Sequence, residues 1–148
     1  MKNNDDFSGP PIGSQLSAII PTLNEAENLG SCLRVIAGTV GELIVVDGGS
    51  SDNTASVASR YNARWLTAKR GRGSQLAAGG AAATGEWLLF IHADTVLQSS
   101  WERSVHEFIN EVREDNVAGV FRYRNDLHGF AGRVLERYVA WRTSLGLP

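Results

Sequence analysis

The 148-residue chain has a single cysteine, Cys32. No internal disulfide can form, and a reducing compartment suits the protein. Because Cys32 falls in a helical pattern, it reads as a small apolar packing residue rather than a reactive thiol. No apolar run reaches bilayer-spanning length, and residues 1–15 lack the apolar core and cleavage pattern of a secretory signal. These absences predict a cytoplasmic protein. A large charge of either sign is also missing. Fourteen Lys and Arg against sixteen Asp and Glu leave −2, which argues against non-specific nucleic-acid binding as the main task. The common glycine signatures for phosphate are absent too. There is no Walker loop, and Leu76 stands where a G-x-G-x-x-G starting at Gly71 needs its third glycine. That stretch follows the third predicted strand, whereas a dinucleotide fold puts its glycines after the first.

What is present is an ordinary globular composition, 43% hydrophobic and 20% charged, in a length that suits one domain with a sizeable core. Residues 1–15 predict a mobile tail and 16–148 a single domain. Leu16 to Ile20 predicts a strand, closed by Pro21 because proline cannot continue a central ladder. Asn24 reads as an N-cap with Glu27 three residues on. Leu29, Leu33 and Ile36 then recur at helical spacing, and Gly38 stands at the C-cap. Glu42 to Asp47 predicts a buried strand, Asp52-Asn-Thr54 a helix start, and Ala63 to Leu66 a weaker strand. Arg72 to Thr84 reads as a helix of small residues, suited to lying very close to a sheet; Gly79 and Gly80 each cost it about 1 kcal/mol relative to alanine. Leu88 to Ile91 reads as a strand buried on both faces and ending in His92-Ala-Asp94. Ser99 and Glu102 read as a capping box ahead of the stripe Trp101, Val105, Phe108, Ile109 and Val112. Ala118 to Tyr123 predicts one more strand, and Leu127 to Leu145 an amphipathic helix.

Alternating strands and helices predict an α/β domain with a mainly parallel sheet flanked by helices. In such a sheet the loops after the strands share one edge, where ligands bind. Three polar loops meet there: 21–25, 47–52 and 92–94. Each carries a carboxylate able to accept from a base or ribose, or to hold a cation that binds a diphosphate. Arg64, Lys69, Arg70 and Arg72 crowd into nine residues without an acid. Gly71 and Gly73 lie between and beside the last two, and a helix starts at once, so its positive end can face a phosphate. A solvated basic loop is the alternative.

Ala18-Ile-Ile-Pro-Thr-Leu-Asn-Glu25, Glu42 to Thr54, Gly71 to Gly79 and Phe90-Ile-His-Ala-Asp94 resemble, in order and spacing, four motifs of family 2 glycosyltransferases, which have the GT-A fold, Rossmann-like in its sheet. His-Ala-Asp stands where that family carries its Asp-x-Asp metal motif. The resemblance implies transfer of a sugar from a nucleotide-diphosphate donor, a UDP-sugar, to an acceptor hydroxyl with help from Mn2+ or Mg2+. It implies that Pro21, Thr22, Asn24 and Glu25 belong to the base and ribose pocket, with Asp47 accepting from the base and Ser50 and Asp52 shaping the same loop. It puts Arg72, Gly73 and Gln75 near the diphosphate and sugar, and gives Asp94 the cation. His92 replaces an aspartate; as a softer ligand it shifts preference toward manganese, or it hydrogen-bonds the sugar or ribose instead.

Inverting members of the family take a catalytic base from a later acidic loop. Nothing after Asp94 matches: Glu102 belongs to the capping box, Glu107, Glu111 and Glu114 to a solvated face, and Asp126 to a turn. The expectation is therefore a chain truncated at its C-terminus, with the acceptor part missing. Its alternative function is a non-catalytic nucleotide-sugar-binding module that self-associates. Phe130, Tyr138 and Trp141 with Arg133, Arg137 and Arg142 could rest on an anionic membrane surface, which would suit a lipid-linked acceptor; an ordinary core-facing helix is the other reading.

Overall fold

The computed structural model describes residues 12–112 and 117–121. The chain forms two compact units, 1–110 and 111–148. In the second, residues 117–121 carry no regular secondary structure, so the strand expected from Ala118 is not formed over its first four residues. Its remainder, and the helix expected over Leu127 to Leu145, lie outside the described residues.

The first unit runs β1 (Leu16–Thr22), α1 (Leu29–Ile36), β2 (Glu42–Asp47), α2 (Thr54–Arg60), β3 (Arg64–Thr67), α3 (Arg72–Ala82), β4 (Trp87–Phe90) and α4 (Trp101–Glu111). All four strands are parallel, in the order β3-β2-β1-β4. The sheet is the middle of three layers. On one face Leu16, Ala18, Ile20 and Val45 pack with Leu29, Leu33 and Ile36 of α1, Val57 of α2 and Trp101 of α4. On the other, Ile19, Ile44 and Val46 pack against Leu76 and Ala78 of α3. Two-faced burial explains why β1 and β2 are nearly continuous apolar runs. Among the described residues, no helix is long and apolar enough to cross a membrane.

Several expectations are corrected. Ile12–Gln15 form a 3-10 turn rather than part of a loose tail; Gly41 meets the Gly13 backbone so closely that a Cβ would lie 1.9 Å from its carbonyl oxygen. Asn24 does not cap α1. Its φ is 57°, and the helix opens at Leu29 after turns that begin at Glu25. α4 opens at Trp101, so Ser100 precedes it and the Ser99–Glu102 box is one residue out of register. Among the described residues β4 is an edge of this sheet, and it is buried on one face only, with Leu88 42% and Phe90 49% exposed.

Pro21 lies inside β1, paired with Val46, rather than ending it. A residue in a parallel strand directs both main-chain groups to one neighbour, and the side alternates along the chain. The Ile19 carbonyl accepts from Ile91 N–H at 3.1 Å, and the Thr22 carbonyl from Gly48 N–H at 2.9 Å. Pro21 shares Ile19's parity and so faces the β4 side, where strand pairing has ended at Ile19 and Phe90. Its missing N–H costs the sheet no bond.

α3 justifies its small residues at Gly79, where a Cβ would lie 2.3 Å from Ile19 Cγ2 and 2.9 Å from Val46 Cγ2. At Gly80 the nearest atoms, on Leu88 and Phe90, lie at 3.6 and 3.8 Å. The two glycines should therefore respond oppositely to alanine. Gly79→Ala is expected to lose about 1–3 kcal/mol through overpacking, despite better helix propensity. Gly80→Ala should be neutral or gain up to about 1 kcal/mol. Urea unfolding of the two variants checks both signs.

Candidate functional site

β1 has neighbours on both sides as far as Ile19 and only β2 beyond it. The chain moves outward from β1 through β2 to β3, then crosses to place β4 on β1's other side. The strand order reverses there, at the position where open α/β sheets bind ligands. A crevice of about 250 Å³ opens at that point.

Three stretches wall it. The end of β1 supplies Pro21, Thr22 and Leu23, with Glu25 just beyond. The segment after β4 supplies His92, Ala93 and Asp94. β4 has ended at Phe90, and a turn closed by Thr95 N–H to the His92 carbonyl at 3.0 Å leaves His92 and Asp94 exposed with Ala93 buried between them. The start of α3 supplies Arg70, Gly71, Arg72 and the inner residue Gln75. Gly71 has φ 135°, a conformation that only glycine adopts readily. The first intrahelical bond of α3 runs from Gln75 N–H to the Gly71 carbonyl at 3.0 Å. The N–H groups of Arg72, Gly73 and Ser74 are thus left at the helix's positive end, with two arginines beside them.

The loops after β1 and β2 are laced together. Asn24 N–H donates to Ser50 Oγ at 2.8 Å, and Ser51 N–H donates to Asn24 Oδ1 at 2.8 Å. Glu25 N–H donates to Thr54 Oγ1 at 2.9 Å, and Ala26 N–H to Asp52 Oδ2 at 3.0 Å. Asp52 also accepts from Thr54 N–H at 3.0 Å and from the Thr54 hydroxyl. Asp47 anchors this lacing and is only 4% exposed. Its Oδ2 accepts from Gly49 and Ser50 N–H, each at 2.8 Å; its Oδ1 accepts from the Ser50 hydroxyl and, at 3.4 Å, from Thr22 Oγ1.

Of the residues singled out from sequence, Pro21, Thr22, Glu25, Arg72, Gln75, His92 and Asp94 line the crevice. Asn24, Asp47, Ser50 and Asp52 are not in that lining; their hydrogen bonds tie the loops after β1 and β2 together. Gly73 is exposed at the head of α3 and is required neither by backbone conformation nor by a neighbouring atom. With four donors already on its carboxylate, Asp47 could accept from a ligand only by exchanging one of them. Arg64 does not join the anion cluster. It opens β3 at the opposite edge, bound to Glu42 Oε1 at 3.1 Å and the Ala82 carbonyl at 2.8 Å. Leu23 and Ala93 were not anticipated; flanking residues of a loop carry no chemical signal of their own. Cys32 lies beneath the β4 wall, its Sγ 3.6 Å from the His92 carbonyl. Burial, with the Asp94 charge adding to it, pushes its thiol up to about 11, which keeps it protonated and unreactive.

Among the described residues no three His, Cys, Asp or Glu side chains stand close enough to hold a metal unaided. Within the crevice the potential cation ligands are Asp94, a hard oxygen donor, and His92, a softer nitrogen donor.

Residues 17–145 match the Glycosyl transferase family 2 profile. The chain belongs to that family. It is 40% identical over 134 residues to an uncharacterized glycosyltransferase of Mycobacterium tuberculosis, covering 88% of this chain and 60% of that protein. It is 35% identical over 104 residues to the glucosyl-3-phosphoglycerate synthase of Mycolicibacterium smegmatis, covering 62% of this chain and 34% of the relative. The crystal structure of glucosyl-3-phosphoglycerate synthase from Mycobacterium tuberculosis in complex with Mn2+ and UDP-glucose superposes with a TM-score of 0.51 at 33% identity, over 55% of this chain and 34% of that one. The chain thus spans about a third of the length of the two synthases. The parallel sheet flanked by helices, with these neighbours, is the GT-A fold.

The rim's carboxylates tie its integrity to pH. Burial opposes ionisation of Asp47, but the Ser50 hydroxyl, the Ser50 and Gly49 N–H groups and the Thr22 hydroxyl outweigh it and lower its pKa. Away from the rim, at the start of β2, Glu42 is lowered in the same way, burial being overcome by Thr84, Ser17 and Arg64. Folded values below the unfolded ones mean a contribution complete above the ordinary carboxylate pKa of about 4 and lost as pH falls through the folded values. Stability should be level above about pH 5 and decline below about pH 4. Asp47→Ala should cost about 1–3 kcal/mol at pH 7, and its gap from the parent should narrow at pH 3. Urea unfolding at both pH values measures this.

Proposed function

We propose that this chain binds a nucleoside-diphosphate sugar, a UDP-sugar, in the β1–β4 crevice and transfers its sugar to an acceptor hydroxyl. The observation that carries this reading is the meeting of opposite chemistries across one small opening: the cationic head of α3 with Arg70 and Arg72, against His92 and Asp94. A diphosphate and a divalent cation are the pair of ligands such walls suit. The relative solved with Mn2+ and UDP-glucose supports the donor class.

In this reading Pro21, Thr22 and Glu25 border the nucleoside, over a floor braced by Asp47, Ser50, Asn24 and Asp52. Arg70, Arg72 and the first N–H groups of α3, Gly73 among them, neutralise the diphosphate as it leaves with the electron pair of the broken anomeric bond. Asp94, with His92, would hold a manganese or magnesium ion, which when bound supplies further charge neutralisation to that leaving group. In this reading the turn that follows β4, closed by Thr95 N–H to the His92 carbonyl at 3.0 Å, carries both side chains at the crevice.

Calorimetric titration of the chain with UDP, with and without Mn2+, tests the proposal. Manganese should tighten UDP binding in the parent. Asp94→Ala should weaken UDP binding in manganese by about tenfold or more, or about 1.4 kcal/mol, and leave metal-free binding unchanged. Equal manganese-dependent binding by parent and variant would remove Asp94 from the cation site. Incubation with UDP-glucose then separates two outcomes: release or transfer of sugar marks an enzyme, and binding without it marks a donor-binding unit.

A further inference from the structure

Gln75 faces inward from the first turn of α3 and is 5% exposed. Its Nε2 donates to two main-chain carbonyls, Thr22 and Val46, at 2.8 Å each. These acceptors lie on adjacent strands, Thr22 as the last residue of β1 and Val46 as the last but one of β2. The Thr22 carbonyl also takes Gly48 N–H at 2.9 Å, which fills both of its lone pairs. Gly48 has no side chain where the amide sits: a Cβ there would lie 3.2–3.3 Å from the Gln75 amide atoms. One turn on, Gly79 seats the same face of α3 against Ile19 and Val46.

Gln75 is thus the hydrogen-bonded link between the head of α3 and the ends of β1 and β2. On one side of it stand Arg70, Gly71 and Arg72; on the other, Pro21, Thr22 and Leu23. With both amide hydrogens committed to main chain, Gln75 contributes geometry rather than a donor to ligand. We infer that Gln75 is a positioning residue that fixes the spacing between the anion-binding wall and the nucleoside wall. This rests on the donor reading above. A ligand that spans both walls gains from having them held at one distance, because neither has to be repositioned on binding. A ligand that touches only one wall gains nothing from it.

The test uses three ligands on the full chain by calorimetry: UDP with Mn2+, pyrophosphate with Mn2+, and uridine alone. Gln75→Met keeps the volume and removes the donors. Its UDP affinity should fall by about tenfold or more, with pyrophosphate and uridine changed by less than about twofold. Equal loss for all three ligands, or no loss for UDP, overturns the inference while leaving the donor reading intact. A parent that binds pyrophosphate but not UDP overturns both.

Gln75→Glu supplies an independent readout should the methionine variant not fold. Its carboxylate has no donor for the two carbonyls, but the protonated acid regains one, and burial among carbonyls raises its pKa. Its UDP affinity, taken relative to the parent at each pH, should recover as pH falls from 8 to 5.5. A deficit that stays constant across that range counts against Gln75 as a donor-dependent spacer.

Discussion

The crevice exists because β1 keeps two neighbours only as far as Ile19. From there β4 turns away through Ile91, while β2 stays paired to Asp47. A sheet that closed this gap would leave no opening at its carboxyl edge. Pro21 fits the parting because it offers no N–H on the side where the ladder stops. A residue with a free N–H at that position would need another acceptor. The apolar cores on the two faces hold the strands; the polar chemistry collects where their pairing fails.

The rim is rigid for a different reason. Short polar side chains, Asn24, Ser50, Asp52 and Thr54, span two loops about 25 residues apart and satisfy each other's main-chain groups. Asn24 and Asp52 are exposed, but Thr54 and Asp47 beneath them are buried, and among the described residues no buried side-chain nitrogen or oxygen lacks a partner. α3 joins this frame at close range, through the empty space at Gly79 and the amide of Gln75.

Much of this was legible in sequence because period and composition are local. The strand–helix alternation, the two-faced burial of β2, the near-sheet packing of an Ala/Gly helix and the gathering of three loops at one edge all follow from neighbouring residues. What misled was partner identity. Asn24 looks like a helix cap because caps and loop braces use the same side-chain carbonyl; only the fold shows that its donor is Ser51. Arg64 looks like part of a basic cluster, yet five residues of strand and turn carry it to the other end of the sheet from Arg70. For Asp47 and Gln75, which the family resemblance puts in the site, the structure adds the partners that hold them. The bonds of Asp47 to Gly49 and Ser50 are local, but its bond from Thr22 and those of Gln75 to Thr22 and Val46 join distant residues that no window of sequence reveals. β4 reads as doubly buried from its apolar run alone, but strand position, not hydropathy, sets whether Leu88 and Phe90 are covered.

The charges around the opening are segregated, with arginines and a helix head on one wall and two acidic side chains and an imidazole on the others. An anion entering alone is drawn to the first wall and repelled by Glu25 and Asp94; a cation entering alone meets the reverse. Each ion screens the repulsion felt by the other. By reciprocity, whatever factor the first lends the second is returned in equal measure. Charge segregation of this kind favours cooperative occupancy by species of unlike sign, which makes half-filled states rarer than independent binding would make them.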